Sequence, residues 1–460
     1  MVDQLAKTPP EGDGEHPPQP TAWARWRPVL LRLHFYGGVL VGPFILIAAV
    51  TGLLYTFTPQ LDGIVFRHEV TVDGYAPQTR SLADQIAAAR TVYPDAPITS
   101  VKPPTVASET TQIAFATTDV APDYTRTVFV NPYTAQVQGT LTTYGQWLPI
   151  RAWFDEMHRT LHLGALGRYY SEIAASWLWV IALGGLAMWI AQTRRRGVRR
   201  LVVPDRRGTR TGSRGRTLNW HGAVGVWIVI GLLGLSVTGL TWSRFTGEHV
   251  ETLRSQLSWT TPSVSTALPE TTTDAPLDPA ASADTVLRSA LDAGLQPPLW
   301  LKPPTATGTA WQVYERKRDF PTRFDAVAVN GRSGAIVDES RFAEWPLIAK
   351  LTNWAIDAHM GLLFGLANQI ALALLVVCLI TVIVRGYLMW WKRRPTRGGW
   401  PNAPRRGALA GLHPAEAVVA VAVLAGIGWC APLFGMTLGV FVLGDVVAGE
   451  LVRRRKRVAS

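Results

Sequence analysis

Four histidines in matched positions carry the most specific chemistry this sequence offers. His34 and His221 each stand at the start of a long apolar run, each is followed within four residues by glycine, and each precedes a Thr-Gly-Leu string, Thr51-Gly52-Leu53 or Thr238-Gly239-Leu240, by the same interval. His162 and His359 form a second match, in His162-Leu-Gly164-Ala-Leu-Gly167 and His359-Met-Gly361-Leu-Leu-Phe-Gly365. A histidine at the edge of a membrane span is costly unless it is paired, coordinates a metal or lines a polar cavity. Two neutral imidazoles on facing helices make an axial ligand pair for a haem iron, and helical bundles build cofactor sites from such facing side chains. A single intramembrane histidine can equally be held by a hydrogen bond to a neighbouring helix. Four in matched positions point to haem ligation, His34 with His221 at one face and His162 with His359 at the other. Zinc or copper is the weaker reading, since no carboxylate or thiolate completes a set.

His158, opposite Ala355 in that alignment, precedes His162 by one helical turn and shares its face. It is a candidate to replace His162 as ligand, to bond a propionate or to contact substrate. Arg32 near His34 suits a propionate or an ordinary membrane anchor. Arg151, Arg159, Arg168 and Lys350 cluster in sequence around the outer histidines and suit an anionic substrate through charge-assisted hydrogen bonds, or lipid headgroups. The glycines beside the four histidines leave room either for a porphyrin face or for close helix packing. His16, His68, His249 and His413 lack repeat partners and read as surface residues, and Cys378 and Cys430 have no disulfide or metal spacing.

The elements that must position these residues are membrane helices. The chain has 460 residues, is 48% hydrophobic with 19 Trp and only 17% charged, and carries a net charge of +12. Strong apolar stretches long enough to span a bilayer lie at about 33–57, 173–192, 220–242 and 367–391, with a weaker pair at about 415–430 and 433–450. The positive charge is concentrated in short segments, with ten Arg between Arg194 and Arg216, six Lys/Arg between Lys392 and Arg406 and five between Arg453 and Arg457. That placement marks cytoplasmic loops and cytoplasmic termini rather than a nucleic-acid surface. No apolar core with a small-residue cleavage site opens the chain, so the first span is expected to remain as an anchor.

The expected organisation is a disordered cytoplasmic tail (1–27), a first span (28–58), an outer domain (59–150), a second span with its outer approach (151–193) and a basic loop (194–217). The second half repeats it, with a third span (218–243), an outer domain (244–345), a fourth span with its approach (346–392) and a basic loop (393–412). A helical hairpin (413–451) and a basic tail (452–460) close the chain. Each outer segment reads as a helix followed by short strands, Ser81–Val92 then Ile98–Lys102 onwards, and Ala283–Ala293 then Leu299–Lys302 onwards. Both carry the string Lys-Pro-Pro-Thr, at Lys102 and at Lys302. The fold class is therefore an all-α membrane bundle of four core spans from an internal duplication, plus a C-terminal hairpin, with two small α+β outer domains. Pro43 should kink or loosen the first span. From His162 to Arg194 a continuous helix would exceed the bilayer core, so either the outer pair stands above the interface or the helix breaks near Gly164–Gly167.

Across about residues 25–395 the chain resembles the bacterial inner-membrane proteins with PepSY-type outer domains and PepSY-associated transmembrane helices. The resembling stretches are His34 with Thr51-Gly52-Leu53, Lys102-Pro-Pro, His158-Arg-Thr-Leu-His162-Leu-Gly164, His221 with Thr238-Gly239-Leu240, and His359-Met-Gly361. Some members are haem-containing reductases that release iron from ferric siderophores in the periplasm. The resemblance implies that activity here, with two b-type haems. Partners would be the lipid bilayer, a ferric siderophore and an electron donor from the quinol pool or a cytoplasmic reductase. No Gly-rich dinucleotide fingerprint follows a strand, so no flavin or nicotinamide site is expected in this chain. PepSY domains also occur as inhibitory or regulatory modules, which makes a non-enzymatic membrane-anchored binding protein the alternative, alongside a haem carrier for another periplasmic acceptor.

Overall fold

The computed structural model describes residues 21–145, 147–194, 197–204, 212–268, 277–393, 404 and 411–458. Most of the expected tail, and the basic stretches 195–196, 205–211, 394–403 and 405–410, lie outside the described residues. The first half runs α1 (Ala22–Thr56), α2 (Thr58–Val65), α3 (Leu82–Arg90), β1 (Ile98–Lys102), β2 (Thr111–Phe115), β3 (Tyr124–Val130), β4 (Val137–Tyr144), α4 (Pro149–Thr160) and α5 (Gly164–Thr193). The second repeats it with α6 (Gly212–Thr241), α7 (Phe245–Gln256), α8 (Pro279–Asp292), β5 (Leu299–Lys302), β6 (Trp311–Glu315), β7 (Ala326–Val329), β8 (Ile336–Ser340), α9 (Leu347–His359) and α10 (Gly365–Trp391). A pair of apolar helices, α11 (Pro414–Cys430) and α12 (Pro432–Val458), ends the described chain.

Among the described residues five helices are long and apolar enough to cross a membrane, α1, α5, α6, α10 and α12, and α11 is a shorter apolar helix. The first four pack in a ring in which α1 and α6 each contact both α5 and α10. Val41, Ile45, Ala49, Ala174, Trp177, Ile228, Leu232, Val376 and Leu379 form their common core, which Phe434 and Leu438 of α12 extend. Small changes in backbone tune the individual helices. Gly37–Val41 is a π-helical segment of α1 directly before Gly42-Pro43. Pro43 has no N–H for the Val39 carbonyl, which accepts instead from the Tyr387 hydroxyl at 2.9 Å. Gly42 makes that contact possible, because a Cβ there would stand 2.8 Å from the Tyr387 oxygen.

Of the two alternatives for the long stretch from His162 to Arg194, the helix breaks, just before Gly164. α4 stops at Thr160, Leu161 and His162 take left-handed backbone angles (φ 55° each), and α5 starts at Gly164. The second half turns in the same place through Gly361 and Gly365, both at positive φ. Each span is thus preceded by a separate helix folded back against the bundle, α4 on α1 and α5, α9 on α6.

The two strand-bearing segments are not two separate domains. Their strands form one antiparallel eight-stranded sheet in the order β4-β3-β2-β1-β5-β6-β7-β8, joined where Val101 pairs with Leu301. α3 and α8 cover one face, and a single core runs through both repeats, from Leu82, Ile86 and Phe115 to Val286, Leu299 and Trp311. The repeats also share a helix cap, since Asp284 of α8 accepts the Leu82 and Ala83 N–H groups at the start of α3 (2.8 and 3.0 Å). The repeated segments merge because each leaves one edge strand unpaired, and each satisfies the other.

Candidate functional site

The site distant from the sheet is built from α1, α5, α6 and α10. The His34 and His221 rings face each other with centroids 6.1 Å apart and planes at 87°. His34 Nδ1–H donates to the Ile181 carbonyl at 2.8 Å and His221 Nδ1–H to the Val382 carbonyl at 2.9 Å. A carbonyl can only accept, so both rings carry their proton on Nδ1 and present a bare Nε2. Glycines make the approach possible, for a Cβ at Gly185 would lie 2.8 Å from His34 Cε1 and one at Gly386 3.7 Å from His221 Cε1. The rings border a cavity of about 550 Å³ whose lining includes Gly38, Gly225, Trp189, Tyr387, Arg27, Arg214 and Arg393. None of these three arginines pairs with a carboxylate among the described residues.

The sheet-side site is where the structure departs from the sequence reading. His359 faces Thr238, whose Oγ1 lies 2.5 Å from Nδ1, and the residue placed in the same way against Thr51 is His158, with Oγ1 to Nδ1 at 3.0 Å. Both threonine hydroxyls spend their proton on backbone carbonyls of their own helix, Ile47 and Gly234. They therefore accept from the imidazole Nδ1–H and again leave Nε2 bare. Gly52 is needed beneath His158, as a Cβ would meet its Cε1 at 3.1 Å. Burial lowers the basicity of His158, and it holds His359 down to about 3, with the charge of a protonated His158 a second contribution.

His162, expected in this position, is exposed on the turn after α4 with its ring 4.9 Å from Trp153. The correct repeat ruler is the tryptophan: Trp153 precedes His158 by the interval at which Trp354 precedes His359, and Ile181/Val382 and Gly185/Gly386 keep the same offset between halves. His158 is thus the counterpart of His359, not an extra residue opposite Ala355.

The arginines also sort differently from expectation. Arg32 is buried, but it faces the C-terminal hairpin, paired with Asp445 at 2.5 Å and donating to the Pro404 carbonyl at 3.1 Å. Arg168 reaches the Trp242 carbonyl (2.8 Å) and Lys350 the Ala343 carbonyl (2.7 Å), so both are spent on local backbone. Arg159 pairs with Asp155 at 3.2 Å. Arg151 alone of that group is buried at the sheet-side site, where Nε donates to Tyr55 (2.9 Å) and Nη2 has no acceptor. Its placement is firm because Asp62 of α2 caps α4, accepting the Ile150 and Arg151 N–H groups at 3.1 Å each.

Sequence reasoning missed Thr51 and Thr238 as imidazole partners and Arg27 and Arg214 at the cavity mouth. Their signal is in the sequence: each arginine stands two helical turns before its histidine, on the same face, in both halves.

Residues 31–393 match the family described as PepSY-associated TM region. The chain belongs to that family. A comparison with curated proteins found no match. The matched range takes in both histidine pairs and the whole sheet, and ends at Arg393 of the cavity; α11 and α12 lie beyond it.

The residues present at the first site fit a haem. His34 and His221, each with Nε2 free and their ring centroids 6.1 Å apart, would hold a haem iron between them. The cavity volume of about 550 Å³ falls in the usual range for cofactor sites. Unpaired arginines at its mouth suit carboxylates. Among the described residues no third His, Cys, Asp or Glu joins either pair, so neither offers a tetrahedral set.

Proposed function

We propose that this protein is a di-haem membrane oxidoreductase that passes electrons across a bacterial inner membrane to a ferric siderophore, reducing Fe³⁺ to Fe²⁺ so that iron is released. The observation that carries the reading is the pair of repeat-related histidine sets at the two ends of one bundle, each imidazole fixed through Nδ1 with Nε2 bare. His34 and Thr51 lie about 25 Å apart along α1 by the helical rise per residue, so the two sets stand near the two faces of a bilayer core. Bound between His34 and His221, and between His158 and His359, two b-type haems would supply one-electron redox chemistry.

The chain's own residues supply the rest. Ile181, Val382, Thr51 and Thr238 hold the ligand tautomers, Arg27, Arg214 and Arg393 receive carboxylates at the sheet-distal mouth, and burial sets the local polarity. The Lys/Arg-rich segments of the sequence favour a cytoplasmic side for that mouth and the termini and a periplasmic side for the sheet. One electron per iron comes from membrane quinol or a cytoplasmic reductase, and ferrous iron is held less tightly by hard oxygen chelators.

Protein purified from haem-sufficient cells should be red, with two haems per chain by alkaline pyridine assay, and its chemically reduced form should be reoxidised by ferric chelate. His221→Ala should leave one haem and abolish electron delivery from the cytoplasmic side. A colourless wild-type preparation would sink the proposal, and two haems retained in the variant would sink the ligand assignment.

A further inference from the structure

The repeated Lys-Pro-Pro-Thr strings have no part in the histidine sites, yet their lysines meet on one face of the sheet. On the face opposite α3 and α8, Trp300 of β5 lies directly across from Tyr314 of β6, with ring centroids 6.2 Å apart and planes within 13° of parallel. Lys102 stands 5.5 Å over the Trp300 ring and Lys302 5.4 Å over the Tyr314 ring. The strip continues past β6 through Arg316, beside Tyr314, to Arg318. Arg318 and Arg151 both lie over the Trp147 indole, at 5.2 and 3.8 Å.

Carboxylates answer only part of this charge. Lys102 is 3.6 Å from Glu109 and Arg318 is 2.5 Å from Asp357. Lys302 and Arg316, both exposed by surface area yet partly desolvated by their surroundings, form no ion pair among the described residues, and the buried Arg151 Nη2 has no acceptor. Partial desolvation lowers the Lys302 ammonium and the charge of Arg316 lowers it further, which shows the cations crowding one another. A row of under-neutralised cations beside two half-buried stacked rings is complementary to a ligand that is both anionic and aromatic. The strip ends at Arg151, two turns before His158 on α4, and at Asp357, two residues before His359.

We propose that this strip, centred on Trp300, Tyr314, Lys302, Arg316, Arg318 and Arg151, is the docking site for the ferric chelate, and that the chelate is a polyanion carrying aromatic rings, of the catecholate type. The proposal rests on the reading of the protein as a ferric-chelate reductase. Charge holds the anion, stacking on Trp300 orients it, and the buried arginine draws it to the histidine end.

The test is equilibrium dialysis of radioactive iron against the oxidised full-length protein in detergent, without any reductant. The probes are a ferric tris-catecholate, ferric citrate and a cationic ferric trishydroxamate. The tris-catecholate should bind tightest and the trishydroxamate weakest. Lys302→Glu should weaken both anions by about tenfold or more, and Trp300→Ala should weaken the tris-catecholate by about tenfold while changing citrate much less. Equal affinity for the cationic chelate, or wild-type affinity in Lys302→Glu, overturns the proposal; Lys302 is solvent-facing, so this variant keeps the test open should Trp300→Ala fail to fold. Tris-catecholate binding to a haem-free preparation would keep the docking site and sink the haem reading. A two-haem protein that binds none of the three would do the reverse.

Discussion

At the scale of single residues, the decisive contact is between threonine and histidine. Thr51 and Thr238 each give their proton to the helix backbone and take one from an imidazole, so they fix which ring nitrogen is free. His158→Ala is therefore expected to remove one haem, while His162→Ala, altering an exposed turn, should leave both; reduced-minus-oxidised difference spectra distinguish the two. Thr51→Val should keep the histidine but free its ring, lowering haem retention about 10- to 100-fold and shifting one of two midpoints in a redox titration. An unchanged titration would mean the hydroxyl does not orient the ligand. Three of the four site histidines were legible from sequence because Thr-Gly-Leu follows at a constant interval or glycine follows closely. The fourth is displaced to His162 when the outer turns are matched on their glycines. The turns differ in length between the halves, one passing through Leu161, His162 and Gly164 and the other through Gly361 and Gly365 at positive φ, whereas Trp153 and Trp354 keep their interval to His158 and His359.

At the scale of elements, the fold depends on α4 doubling back against α5 so that His158 faces α1. Gly167 is where the two helices touch, since a Cβ there would lie 1.7 Å from the Thr160 carbonyl oxygen. Backbone cannot rotate aside as a side chain can, so Gly167→Ala should cost about 1–3 kcal/mol or more and swing α4 outward. The expected signature is selective: loss of the sheet-side haem, retention of the one between His34 and His221, and a lower unfolding temperature. Loss of both haems together would show that α4 supports the whole bundle. The hairpin α11–α12 is a second element whose role the sequence left open. It docks through Arg25 on Glu416 (2.6 Å), Arg32 on Asp445 (2.5 Å) and Trp177 on Thr437 (2.9 Å), all on α1 or α5. These contacts assign Arg32 to bundle assembly. Its proximity to His34 in sequence was misleading because neighbouring positions on a helix point to different faces.

At the scale of the whole molecule, the internal duplication was plain in the sequence, but the union of its halves was not. Strand pairing between β1 and β5 leaves no residue signature of its own; Val101 and Leu301 read as ordinary core positions in either a separate or a shared sheet. The consequence is energetic. The core that contains Leu82, Ile86 and Phe115 is completed by Val286, Leu299 and Trp311 from the other repeat, and the first turn of α3 is capped by Asp284. A single repeat cut out of the chain would expose both an apolar flank and the unpaired edge of β1 or β5, and a domain of that size has little core to spare. Residues 67–145 expressed alone should therefore give poorly dispersed amide resonances and fast hydrogen exchange. The intact protein should protect β1 and β5 as strongly as the strands flanking them. Asp284→Ala in the full chain should raise exchange at Leu82 and Ala83 first, because their N–H groups lose their only carboxylate acceptor while the sheet stays paired. A cooperative unfolding transition for the isolated segment would instead mean that each repeat carries a complete core, and that β1 and β5 meet as two finished domains.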